Sequence, residues 1–203
     1  MKRILILLLC TALVSPTLTS CRKNEEKKNE SSQLYTMEED YKPIVPPENG
    51  WTIETIAHTI RLCGESIELP FTVGSLGKEF KFMDNVEEEI QNTRRVTYSD
   101  HEAFIASFVK SENNDDLYSK TVRKIASNEY YSDKDFQNCF IINGVGIGTS
   151  KEDVILLLGE PDSITETAYE YYSNHIKSEK YLIRFSFGDL NIVQSMFVNL
   201  IDE

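Results

Sequence analysis

The sequence predicts an α+β protein of two tandem repeats, each a β-hairpin, a short helix and a three-stranded antiparallel meander. Three observations predict it. Asn143-Gly144 stands between two short apolar runs, the strongest two-residue hairpin signal a sequence carries. A capped, leucine-rich helix follows and is stopped by Gly159 and Pro161. The same order of signals, fainter, occurs earlier in the chain around Gly64.

The first repeat is expected over residues 51–135. Segments 58–63 and 66–69 flank Gly64-Glu65, a Gly-X pair suited to a type II′ turn. Thr72 then caps a short helical turn with Val73 and Leu76 on one side, and strands are expected at 94–98, 103–109 and 118–125. The second repeat, 136–203, is clearer. Runs at 139–142 and 145–148 flank Asn143-Gly144, and Thr149-x-x-Glu152 reads as a capping box. Val154, Leu157 and Leu158 form one apolar helix face. Strands are expected at 165–172, 181–187 and 192–201, the last two joined through Gly188-Asp189-Leu190-Asn191. Gly64 and Ile67 match Gly144 and Ile147, and Leu76-Gly77 matches Leu158-Gly159 after a two-residue offset.

The N-terminus speaks to location. Lys2 and Arg3 precede an apolar run over 4–18 and a small-residue exit at Thr19 and Ser20, so residues 1–20 read as a secretory signal peptide. The run falls short of the roughly 20 residues a membrane span needs. Leu18-Thr19-Ser20-Cys21 resembles the lipobox of bacterial lipoproteins, which implies lipidation at Cys21, the new N-terminus. Two or three acyl chains such as palmitate hold a protein to a membrane where one chain does not. The expected place is the extracytoplasmic face of the cell membrane. Arg22 is not the Asp that retains lipoproteins in a Gram-negative inner membrane, so in such a cell the outer membrane is expected. Residues 21–50 then comprise the lipidated cysteine and a flexible tether rich in Lys, Glu, Asn, Ser and Pro, with folding from Trp51 onward.

Charge narrows the partners. Removing residues 1–20, which carry Lys2 and Arg3 and no acid, takes the formal net charge from −12 to −14. Such a chain does not bind nucleic acid by neutralising phosphates, nor a membrane through a polybasic patch. Besides Cys10 and Cys21 the chain has Cys63 and Cys139, without a CxxC. Two separately buried thiols are expected; outside the cytoplasm a disulfide is the alternative.

No cofactor, metal or catalytic set is expected. Gly144, Gly146 and Gly148 suggest a phosphate cradle, but a Walker A loop needs the order Gly-Lys-Ser/Thr, and here Thr149-Ser150-Lys151 reverses it. A dinucleotide fingerprint would need glycine at Thr149. His58, His101 and His175 fall on different elements with no i, i+4 pair. Ser75 misses the nucleophile-elbow pattern by one position, and Glu87-Glu88-Glu89 lacks EF-hand spacing.

The string from Gly146 to Asp162, GIGTSKEDVILLLGEPD, followed by aromatic strands, resembles the signature of the BamE/SmpA outer-membrane assembly lipoproteins and of the β-lactamase inhibitory protein (BLIP-like) fold. The resemblance implies a short helical element packed on a small antiparallel sheet, twice in tandem in the inhibitor. It does not bring inhibition or β-barrel assembly with it.

Aromatic residues are the remaining signal. Tyr181, Ile183, Phe185 and Phe187 alternate onto one strand face, expected to be core, with Leu182, Arg184 and Ser186 opposite. Tyr169 and Tyr171 share a face opposite Tyr172, so a sheet can bury one set and present the other; these three are the candidate binding residues. The expectation is a lipid-anchored, non-enzymatic binding or scaffold protein that engages an envelope protein through a sheet face or loops. The alternative is an inhibitor or ligand-binding lipoprotein that captures an extracellular enzyme, peptide or glycan.

Overall fold

The computed structural model describes residues 41–48, 50–83, 92–109, 116–130, 138–172 and 180–201, all within one compact unit. The expected signal peptide, Cys21, the first part of the tether, Glu87–Glu89 and His175 lie outside the described residues.

A one-turn helix α1 (Ile53–Ala57) opens the fold, its first turn capped by Thr52, whose hydroxyl accepts from Thr55 N. Strand β1 (Ile60–Leu62) then pairs with β2 (Glu65–Ser66). Cys63 and Gly64, both at positive φ, form the turn between them, so this is a type I′ hairpin one residue earlier than the expected Gly64-Glu65 turn. Next come β3 (Phe71–Thr72), a 3₁₀ turn over Val73–Leu76 capped by Thr72, and β4 (Phe80–Phe82). Strands β5 (Thr93–Tyr98), β6 (His101–Phe108) and β7 (Thr121–Asn128) form the first meander. After β8 (Phe140–Ile142) and the Asn143-Gly144 turn, helix α2 (Lys151–Leu158) leads to β9 (Ser163–Ile164), β10 (Ala168–Tyr172), β11 (Lys180–Phe187) and β12 (Val193–Ile201).

The α+β class with tandem BamE/BLIP-like repeats is overturned: the protein is mostly antiparallel β-sheet. Both meanders enter one nine-stranded sheet of order β4-β5-β6-β7-β12-β11-β10-β9, with β3 also on β7. The junction is the β7–β12 ladder, Ser195 to Asn199 against Asn128 to Lys124. The two hairpins likewise join, β1 against β8, into a sheet of order β2-β1-β8. The reason is a shortage of helix. The two α-helices among the described residues have five and eight residues, and α2 buries only Val154 and Leu158. Such helices leave most of a wide sheet uncovered, and a second small sheet supplies the missing layer.

The core is continuous between these layers. Ile60, Leu62, Phe140 and Ile142 of the small sheet are fully buried in one cluster with Val96, Phe104, Ile125, Ile183, Phe185 and Val198 of the large one. Each such side chain contributes about 1.5–3 kcal/mol of transfer free energy. Polar tips of the aromatic residues tie the layers together. The Tyr181 hydroxyl donates to Leu69 O at 3.1 Å, and that of Tyr171 donates to Gly159 O at 3.0 Å.

Three further expectations change. Cys63 and Cys139 are joined in a disulfide linking the two hairpins, not separate thiols. The β1–β8 pairing brings the ends of these strands together, which no local pattern specifies. The N-cap of α2 is Ser150, which accepts from Asp153 N at 3.1 Å. Thr149 is used elsewhere: its hydroxyl accepts from Gly146 N and its carbonyl from Val193 N, pinning the loop to β12. Finally, residues ahead of Trp51 already contact the fold: Arg61 lies over the Tyr41 ring and Ile44 N donates to Asn143 Oδ1.

Candidate functional site

Two surfaces stand out once the core is subtracted: the outer face of the large sheet and a cleft beside residues 41–47. Direct partners on antiparallel strands share a face. One outer row therefore runs Arg95, Ile105, Ala126, Phe197, Arg184, Glu170 across five ladders. The next holds Ser107, Lys124, Asn199, Leu182 and Tyr172.

The chemistry of this face is amphipathic. Phe197 is partly exposed at its centre, with the Lys124 ammonium 4.3 Å from its ring centroid. Arg184 pairs with Glu170 at 3.2 Å and Arg95 with Glu102 at 3.5 Å. Desolvation by burial raises the Glu102 carboxyl above its ordinary range, and Arg95 opposes that shift. Both pairs leave part of their side chains exposed, so they orient the arginines more than they stabilise the fold.

On the opposite side of the molecule's core, the fully buried side chain of Asn143 clamps a strap formed by residues 41–47. Its Oδ1 accepts from Ile44 N at 2.7 Å, while its Nδ2 donates to Ile44 O and to Leu157 O. The Trp51 indole donates to the same Leu157 carbonyl. Asn143 and Gly144 both have positive φ, as a type I′ turn needs, and a Cβ on Gly144 would stand 2.9 Å from Pro43 Cγ. Between the strap and the first hairpin lies a cleft of about 420 Å³, lined by Tyr41, Lys42, His58, Thr59, Arg61 and Ser66. Arg61 lies over the Tyr41 ring at 5.0 Å. Burial raises the Tyr41 phenol above its ordinary value and Arg61 works against that.

The glycine loop forms a second cleft, lined by Gly144, Gly146, Gly148, Ser150, Asp153 and Leu157 among others. It is poorly suited to an anion. Asp153 contributes a carboxylate there, and the Ser150 hydroxyl donates to its Oδ2 at 2.8 Å.

The candidate tyrosines divide differently from a binding triad. Tyr169 and Tyr171 are buried core residues, packed edge-on against Phe187 and Phe185 respectively, and as folded they present no contact surface. Tyr172 is on the outer face, its N–H donating to Asp162 Oδ2 and its hydroxyl to Asp162 O. Arg184 and Leu182 belong to this face, as the alternation of β11 implies. Phe197, Lys124 and Ile105 were not singled out. For Phe197 the signal is phase: Met196, Val198 and Leu200 are buried, leaving Phe197 on the other face. His58 lies at the cleft, 3.1 Å from Glu68, whereas His101 is at the start of β6. Ser75 serves its own turn, donating to Thr72 O. Among the described residues no group of three His, Cys, Asp or Glu side chains is placed to hold a metal ion. Comparisons with family models, curated proteins and solved structures return no match to this chain.

Proposed function

We propose that this is a non-enzymatic binding protein, anchored through lipidated Cys21 on the extracytoplasmic side of a membrane, that engages an envelope protein through the outer face of its large sheet. The observation that carries the reading is the setting of Phe197. It is a partly exposed aromatic on a central strand, flanked in register by Ala126 and Arg184 and touched by Lys124. Aromatic and arginine residues at the centre of a patch dominate the energetics of protein interfaces. The lipobox-like Leu18–Cys21 stretch supports the anchor, and the Cys63–Cys139 disulfide fits an oxidising compartment.

The test is site-specific photocrosslinking in cells of the source organism. A crosslinking amino acid at Leu182 or Asn199 should give one discrete adduct with an envelope protein, while the same group at exposed Leu190 should not. Equal adduct patterns from both sites would remove the reading. The anchor is tested separately by fatty-acid labelling, which should disappear in Cys21→Ala.

A further inference from the structure

The strap carries the run Lys42-Pro43-Ile44-Val45-Pro46-Pro47, and its backbone is restrained position by position. The pyrrolidine rings fix φ at about −65° in Pro43, Pro46 and Pro47. Clash with the ring that follows pushes Lys42, Val45 and Pro46 into the extended and polyproline II range. Ile44 is the residue that neither rule reaches. It is also the residue whose N–H and carbonyl are both held by the Asn143 amide. The peptide bonds ahead of the three prolines are trans, as the left-handed polyproline II helix requires.

Both ends of the run are tied to the fold. Arg61 lies over the Tyr41 ring at one end, and at the other Gly50 N donates to Pro47 O in a turn that leads to Trp51 and its bond to Leu157 O. In a helix of three residues per turn, positions i and i+3 share an edge. Pro43 stands against Gly144 and is half-buried. The two remaining edges carry Ile44 with Pro47 and Lys42 with Val45, and all four side chains are exposed, Val45 by 81%. Each proline brings a carbonyl and no N–H, so the displayed backbone is rich in acceptors and poor in donors. Lys42 and Glu48, exposed with opposite charges at the two ends, give it a direction.

We propose that the docked strap is a preordered polyproline II ligand, read by a partner protein through a groove lined with Trp and Tyr side chains. Such rings offer flat apolar faces to Val45, Pro46 and Pro47, and an indole N–H or phenol O–H to the proline carbonyls. A carboxylate at the rim of the groove meets Lys42. The ordering cost of the segment is met within the fold, through Asn143, rather than at the moment of binding. This inference is independent of the outer-face reading: it uses the other side of the core.

The experiment starts in cells of the source organism, with a photocrosslinking amino acid in place of Val45 of the full-length chain. A protein adduct is expected that the same group at Leu190 does not give, and its attachment point should lie beside a Trp or Tyr of the partner. That partner, purified, is then titrated by calorimetry with the full-length protein in detergent and with a synthetic peptide of residues 41–48. The peptide should bind about five- to thirtyfold more weakly than the intact protein, the cost of ordering one residue's backbone. Asn143→Gly should bring the protein down toward the peptide. Pro46→Ala, an exposed substitution that leaves the sheets intact, should weaken binding at least about fivefold. No adduct at Val45, an adduct with lipid or a second copy of this chain alone, attachment away from any aromatic residue, unchanged affinity in Pro46→Ala, or a peptide that binds as tightly as the protein would each overturn the proposal.

Discussion

The side-chain amide of Asn143 holds the backbone of Ile44 from both sides, accepting from its N–H at 2.7 Å and donating to its carbonyl at 3.1 Å, across 99 positions of sequence. A strand-like pairing is thus made by one side chain, and it depends on no property of the isoleucine side chain. Asn143→Gly keeps the positive φ and loses these bonds, and should cost about 1–3 kcal/mol for the buried groups left unpaired. Asn143→Ala adds left-handed strain of about 1–2 kcal/mol to that loss. Denaturant unfolding should rank the variants in that order. In both, a protease should cut within residues 41–50 under conditions where the parent chain resists; equal resistance would show that the strap is held by something other than Asn143.

The disulfide closes a long loop, with Cys63 and Cys139 separated by 76 positions. Its constraint falls mainly on the unfolded chain, so replacing both cysteines with alanine should lower stability by about 2–4 kcal/mol. Both residues are buried, and the alanines leave no polar atom behind. The loss should show as a lower denaturation midpoint. A midpoint equal to that of the oxidised parent would mean that the β1–β8 pairing alone restrains the unfolded ensemble.

Much of the strand content was legible because it is local. Alternation placed β11, and Asn143-Gly144 marked its turn, since few residues other than Asn and Gly tolerate two successive positive φ values. The joining of strands was not legible. Nothing near Ile125 says that it will pair with Val198, and nothing near Arg61 says Ile141. The fold class was misread for that reason: each half looked complete, whereas each supplies part of one sheet. Adjacent hydroxyls misled in another way, because Thr149-x-x-Glu152 and Ser150-x-x-Asp153 both satisfy a capping pattern. The choice is made by Val193, which takes the Thr149 carbonyl into the sheet. The strap escaped notice because hydropathy cannot register a segment held by its backbone.

Tyr171 makes stability sensitive to alkaline pH. Its phenol is pushed well above the ordinary value of 10.0, first by burial and then by Glu160, Tyr169 and Asp162. In the unfolded chain the group ionises near pH 10, while the folded protein retains the proton. The unfolded state therefore binds fewer protons above that value, and stability falls as pH rises through and beyond it. Tyr171→Phe gives up the bond to Gly159 O, about 1 kcal/mol at neutral pH, and removes this group's share of the alkaline loss. Unfolding free energies of the two proteins should converge between pH 9 and 11. A gap that stays constant would show that Tyr171 ionises alike in both states.

Phe197 separates a binding role from a packing role. Because its ring is partly exposed and on the face away from the core cluster, Phe197→Ala should cost the fold no more than about 1 kcal/mol, chiefly the contact with Lys124. Buried Met196, its neighbour on the core face, should cost about 2–5 kcal/mol when cut to alanine. For the crosslinked partner the ranking reverses. Phe197→Ala, and Arg184→Ala beside it, should each weaken binding by about 2 kcal/mol, roughly thirtyfold, if the outer face is the interface. Calorimetric titration of the purified partner measures this directly. Partner affinity that tracks unfolding free energy across all three variants would instead place the contact elsewhere, with the outer face a solvated surface whose side chains serve the sheet alone.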